Sequence, residues 1–222
     1  MIDRIKYLFV KKIYANHNDS KSVKLAIREV LGNIPDGGVG LNIGSGKTTI
    51  DPRVKNMEIF DGPGIDYVGS VEKIPAGNEE FDVIFSQEVL EHVFDPALAL
   101  KEMFRVLKPG GLLYIQLPFT IGYHPCPHDY WRFTKEGIVA LVASTDLKVR
   151  DIGVTVGPAT GFYRIAVEFF AILLSLIFPS AYKVLKAAFS ILLYPIKYLD
   201  RLMKLSEQSD RIAGGYYLIC EK

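Results

Sequence analysis

The chain has 222 residues, 49% of them hydrophobic, and a formal net charge of +1. That is apolar material for one sizeable α/β domain with an elaboration, and it excludes global disorder. A near-neutral balance supplies no bulk field for nucleic acid, so no nucleic-acid partner is expected.

Residues 2–14 set Ile5, Leu8, Phe9 and Ile13 against Arg4, Lys6, Lys11 and Lys12, the pattern of a short amphipathic helix without a signal-peptide core. Residues 21–31 read as a second helix with Val23, Ile27, Val30 and Leu31 inward, stopped by Gly32 and Pro35-Asp36-Gly37-Gly38. Val39–Ile43 predicts a buried strand that runs into Gly44-Ser45-Gly46. Further strands are expected at Met57–Phe60, Ile65–Val68, Phe81–Phe85, Leu112–Leu117, Leu147–Val156 and Tyr216–Cys220. Asp95-Pro96 caps a helix to Leu107, ended by Lys108-Pro109-Gly110-Gly111, and Thr134 caps another to Ala143. Strands alternating with helical stretches point to a doubly wound, Rossmann-like sheet of seven strands, mostly parallel with an antiparallel last strand. No internal repeat is visible. Cys126 and Cys220 stand far apart and form no metal-ligand pattern. A reducing, cytoplasmic compartment and no metal are therefore the expectation.

The glycine loop admits three readings. Ser45-Gly46-Lys47-Thr48 looks like the end of a phosphate-binding loop, but Leu41 stands where that motif needs its first glycine. A dinucleotide fingerprint fails because its third glycine would fall at Thr49. The third reading rests on motifs in order: Asn42-x-Gly44-x-Gly46, Glu58, Phe81-Asp82-Val83-Ile84, Leu90-Glu91-His92-Val93 and Arg105-Val106-Leu107-Lys108-Pro109-Gly110-Gly111. Together these resemble the class I S-adenosylmethionine-dependent methyltransferases, in particular the type 11 methyltransferase-domain family, over about residues 36–156 and the final strand.

The resemblance implies a cofactor site for S-adenosyl-L-methionine at Asn42, Gly44, Ser45, Gly46, Glu58, Ser70, Val71, Ser86 and Gln87. Glu58 would accept from both ribose hydroxyls, as a carboxylate can; a plain surface charge is the other reading, and Asp61 is the fallback. Asn42 and Ser70 depart from the family, which usually has acids there, and this leaves open a non-catalytic, methyltransferase-like binding module. Pro118–Phe133 is a loop rich in aromatics, His and Pro after a strand end, where α/β proteins bind ligands. His128 and Asp129 are the candidate catalytic pair. His92, Tyr130, Trp131 and Arg132 are expected around a small-molecule, lipid or lipid-linked sugar acceptor; packing of the loop onto the sheet is the alternative.

Residues 160–206 form an apolar insert between the last two strands, dividing the chain into N-terminal helices at 1–35, a methyltransferase domain at 36–159 and 207–222, and the insert. Ile165–Phe178 is apolar around the whole helix except at Glu168 and Ser175, and it is shorter than a spanning helix. Lys183, Lys186, Lys197, Arg201 and Lys204 recur at helical spacing beside a broad apolar surface, with Pro195 as a kink. That pattern suits a helix lying in a membrane interface, at the inner face of a membrane. A lid, a dimer contact or a membrane-surface scaffold would use the same residues, so the oligomeric state stays open.

Overall fold

The computed structural model describes residues 20–46 and 48–222, so the expected amphipathic helix at 2–14 and Lys47 lie outside the described residues. Two compact units divide the described residues: one holds residues 22–118, 123–153 and 216–222, the other 20–21, 119–122 and 154–215.

In the first unit the strand at Gly40–Ile43 (β1) is buried throughout, as its apolar run predicts. Val54–Glu58 (β2) and Phe81–Gln87 (β4) pair with it on either side, both parallel. The two-residue strand Tyr67–Val68 (β3) adds outside β2, and Leu107–Pro118 (β5) adds outside β4. Lys148–Val156 (β6) and Gly215–Glu221 (β7) complete a seven-stranded sheet in the order β3-β2-β1-β4-β5-β7-β6. Gly110 N–H donates to Lys222 and Phe119 N–H to Gly214, so β7 runs antiparallel to β5.

Helix α1 (Lys21–Gly32) presents Val23, Ala26 and Val30 to one face of the sheet, against Val54, Val83, Phe85, Leu112 and Tyr114. Helix α2 (Pro96–Val106) buries Ala99, Leu100 and Met103; its Asp95 cap accepts from Leu98 N–H at 3.0 Å. Helix α3 (Lys135–Val142) starts on Thr134, which accepts from Gly137 N–H.

Two strand boundaries differ from the sequence reading for physical reasons. β2 starts three residues before the expected Met57–Phe60 and ends two before it, and Ile59 and Phe60 are surface residues. The Asp51–Arg53 turn launches the strand, and Asn56 can be buried in it because Asn42 and the Gly64 carbonyl satisfy its amide. β5 begins at Leu107 rather than Leu112, because Lys108-Pro109-Gly110-Gly111 continues as an irregular stretch with Gly110 at φ +75°. Asp82 explains why that stretch is held: it accepts from Lys108 Nζ on both oxygens and from Val39 N–H.

The second unit takes in the expected insert with its flanks. Helix α4 (Pro158–Ser175) is 18 residues long, earlier in start and longer than Ile165–Phe178 suggests. Asp200 caps its first turn, accepting from Ala159 N–H at 2.7 Å and from Thr160. Helix α5 (Tyr182–Leu192) gives way at Pro195 to a 3-10 stretch, Tyr194–Leu199, and then to the short helix α6 (Asp200–Met203). The basic residues therefore do not share one helical face. Lys186 pairs with Glu168, Lys197 is half-buried over the rings of Tyr163 and Tyr194, and only Lys183, Arg201 and Lys204 of the five are exposed.

Candidate active site

β1, β2, β3 and β4 all end on the same edge of the sheet, and the loops that leave them enclose a cavity of about 250 Å³. Its floor is Ile43 and Met57, the last apolar residues of β1 and β2. Gly44 and Gly46 line one wall, Glu58 and Ile59 the next, and Gly69, Ser70 and Val71 a third; Glu88, Val89, His92, Val93, Cys126 and Pro127 close it.

The glycine loop is stapled to β2. Gly44 and Ser45 N–H both donate to the Met57 carbonyl, and Gly46 N–H donates to Glu58 Oε1. Both glycines have positive φ, +64° and +57°. They differ in what a side chain would meet. A Cβ on Gly44 would lie 2.6 Å from a methyl of Val89, so Gly44 is required by packing within the protein rather than by ligand approach alone. A Cβ on Gly46 would enter open space beside the cavity.

Glu58 sits half-buried at the end of β2, with Oε1 toward the loop and Oε2 3.4 Å from Ile59 N. Asp61 accepts from Gly62 N–H on an exposed turn and does not line the cavity. Ser70 caps the turn Val71–Lys73 and accepts from Glu72 N–H. Asn42 does not line the cavity: its buried amide donates to Thr48 O and Asn56 Oδ1, tying the loop to β2. Ser45 and Ser86 are buried with hydroxyls that find no partner among the described residues, and neither lines the cavity, nor does Gln87. Glu88, one residue beyond β4, takes that place. Its φ of +56° is uncommon for a side chain other than glycine and turns the chain into the cavity, while its Oε1 accepts from Gln116.

The aromatic loop is tied down over the turn Leu90–His92. Tyr130 N–H donates to Glu91 O at 2.8 Å, Trp131 Nε1 to Val93 O at 3.0 Å, and His92 Nδ1 to His128 O at 2.6 Å. His128 and Asp129 do not form a pair. The His128 ring is exposed and leans on Tyr130, 5.3 Å between centroids. Asp129 is enclosed and grips Arg132 through both oxygens, at 2.5 and 2.7 Å, while accepting from His124 N–H. Arg132 holds Asp129 down to about 2 against the opposing cost of desolvation. Arg132 is therefore engaged within the loop rather than presented to an anion, and Tyr130 and Trp131 are half-exposed. The sequence reading missed Glu91 and His124. Both stand behind His92, with His124 Nε2 and His92 Nε2 each 3.7 Å from Glu91 Oε1. No sequence signal joins them, since they are 33 positions apart.

Residues 44–115 match the family described as a methyltransferase domain. The chain is 33% identical over 118 residues to the ubiquinone biosynthesis O-methyltransferase of Parvibaculum lavamentivorans, covering 45% of this chain and 47% of that protein. The chain spans about half the length of the curated relatives it matches. Among solved structures, the 1,6-didemethyltoxoflavin-N1-methyltransferase of Burkholderia thailandensis, with S-adenosylhomocysteine bound, aligns at TM-score 0.55 and 13% identity over 100% of this chain and 89% of that one. The cyclase SpnF aligns at TM-score 0.56 and 14% identity over 98% and 94%. At those identities the likeness is one of fold, and the pair shows that the fold alone does not set the reaction.

Proposed function

We propose, since this chain carries a methyltransferase domain of the S-adenosylmethionine-dependent class, that it transfers a methyl group from S-adenosylmethionine to an oxygen of a small-molecule acceptor. One observation carries the reading: the cavity at the carboxyl ends of β1 to β4, with the open Gly46 backbone on one wall and the Glu58 carboxylate on the next. Such a crevice is where open α/β sheets take nucleotide-like ligands. When bound there, the cofactor supplies an electrophilic methyl group on a sulfonium that leaves readily.

The chain's own residues do the rest. Glu58, at the end of β2, would accept from a ribose diol, and Val71 would offer an apolar wall and backbone to an adenine edge; both line the cavity. Glu88 supplies negative charge to the cavity that Asn42 does not, which suits a cationic ligand and weakens the case for a degenerate binding module. Alignment of acceptor and methyl group can supply several kcal/mol of the acceleration in a displacement of this kind. His92, backed by Glu91 and His124, is the polar face of the cavity toward an acceptor hydroxyl, in place of His128. The curated relatives' O-methyltransferase names support an oxygen acceptor; a lipid or lipid-linked acceptor is the finer form of the proposal, supported by the apolar surface of the second unit.

Calorimetric titration of the folded chain with S-adenosylmethionine and S-adenosylhomocysteine tests the reading. Both are expected to bind, and Gly46→Val, which fills the open wall and strains a positive φ, is expected to abolish binding. A folded chain that binds neither compound overturns the proposal.

A further inference from the structure

Glu91 is fully buried, and neither of its carboxylate oxygens accepts a hydrogen bond among the described residues. A buried carboxylate without partners is costly, so it calls for a counter-charge. Arg132 feels its charge, but its guanidinium is spent on Asp129 and the Trp131 carbonyl. What Glu91 does face is two imidazoles. His92 Nε2 and His124 Nε2 each lie 3.7 Å from its Oε1, the two rings meet edge to face at 5.3 Å, and one donor atom from each residue falls within 4.8 Å of the other two.

We propose that Glu91, His92 and His124 bind a divalent first-row transition-metal cation beside the cavity. Donor atoms around such an ion at bonds of about 2.0–2.2 Å stand roughly 3.4 Å apart. Each imidazole therefore needs to close on Glu91 by a few tenths of an ångström, while the two imidazole nitrogens, which lie within 4.8 Å of each other, close on one another by rotation of the rings. Two imidazoles and one carboxylate suit zinc, manganese, iron or cobalt rather than magnesium or calcium, and three protein ligands leave positions open for an acceptor oxygen. The surrounding bonds fit. His92 Nδ1–H donates to the His128 carbonyl, so it is Nε2, 3.7 Å from Glu91 Oε1, that carries the lone pair in the neutral imidazole a metal takes. His124 Nδ1 has the Asp129 carboxylate 3.7 Å away, a second outer partner of the kind that orients ligating histidines. In the metal-free chain Arg132 Nη2 lies 3.1 Å from that same Nδ1 and can only donate, so the proton sits on Nε2. Cation binding moves this proton from Nε2 to Nδ1, which breaks the Arg132–Nδ1 bond and turns Nδ1–H toward Asp129, while Arg132 keeps its two Asp129 bonds.

This deepens the methyl-transfer reading, because His92 also lines the cofactor cavity and an oxygen acceptor on the cation would stand next to it. The test uses the full chain stripped with a chelator and titrated with Zn²⁺ by calorimetry, with Co²⁺ absorption as a second readout. One Zn²⁺ per chain is expected, and Co²⁺ should give visible bands. Glu91→Gln, nearly isosteric, and His124→Asn should each weaken Zn²⁺ binding on the order of 100-fold and erase the bands, with melting curves confirming that the variants fold. No Zn²⁺ uptake at micromolar concentration, or uptake indifferent to both substitutions, overturns the site. S-adenosylhomocysteine affinity is measured on the same metal-free chain. Retained affinity without Zn²⁺ uptake overturns the cation site alone, whereas Zn²⁺ uptake without S-adenosylhomocysteine affinity overturns the methyl-transfer reading alone.

Discussion

The proposed ribose contact would give Glu58 a second job beside its bond to the glycine loop, and one substitution can separate the two. Its Oε1 already holds Gly46 N–H, so removing the whole side chain would loosen the loop as well as the ligand. Glu58→Gln keeps an oxygen for Gly46 but loses the second acceptor a diol needs. It should weaken S-adenosylhomocysteine binding by about 1.5–3 kcal/mol, the scale of a charge-assisted hydrogen bond, with little change in melting temperature. If Asp61→Asn produces that loss and Glu58→Gln does not, the ribose assignment moves to Asp61. Asp129 carries a pH signature. Its carboxyl is held at about 2 by Arg132, below the ordinary 3.8, so its bond contributes stability above about pH 4 that is lost as pH falls through about 2. Asp129→Asn should cost about 2 kcal/mol at pH 7, and the gap from the parent chain should shrink between about pH 5 and 3. A gap constant over that range in urea melts would show that the Arg132 pair is not the source. Gly44, Gly46 and Glu58 were legible as candidates that the fold brings to the cavity wall, because glycine spacing and an acid near a strand end carry local signals. Asn42, Ser86 and Gln87 were not separable from them by sequence, since whether a side chain faces a cavity or a neighbouring strand depends on register.

At the scale of elements, the second unit shows how far periodicity reaches. Apolar residues stand out on α4 and α5: Phe162, Phe169, Ile172 and Leu173 on the first, Val184, Ile191 and Leu192 on the second, each more than two-fifths exposed. An apolar surface of this extent calls for a partner. The 18-residue length of α4 and its composition reach the threshold for crossing a membrane, but Tyr163, Ala166, Val167 and Ala171 are buried within the protein. An interfacial seat fits such a two-sided helix better than a span. Liposome co-sedimentation should therefore show binding dominated by the apolar term, with a salt-sensitive part smaller than five cations would give, since Lys186 and Lys197 are committed to Glu168 and to tyrosine rings. Lys183→Gln, Arg201→Gln and Lys204→Gln together should remove that part. A chain that ignores anionic vesicles at low salt, or that sediments as a dimer with this surface covered, overturns the membrane seat. The break after Leu192 was signalled by Pro195, but the 3-10 turns beyond it were not, and they scatter residues that a continuous helix would have aligned.

For the molecule as a whole, the amino-acid sequence by itself determined the strand–helix alternation, the caps at Asp95 and Thr134 and the glycine loop, because each rests on contacts within a few residues or on an unbroken apolar run. The match of residues 44–115 to a methyltransferase domain agrees with those motifs. Tertiary structure alone decided which polar groups share one place. Parallel pairing of β1 with β2 and β4 brings Gly46, Glu58 and Glu88 to one edge although 42 positions separate the first from the last. It also decided that Asp129 serves Arg132 rather than His128, and that His124 returns across the loop to Glu91 and His92. The reason is physical. A local signal reports the conformation a residue prefers, whereas a site is made of side chains whose mutual distance is set by strand register and loop closure, and neither is written in the spacing of residues along the chain.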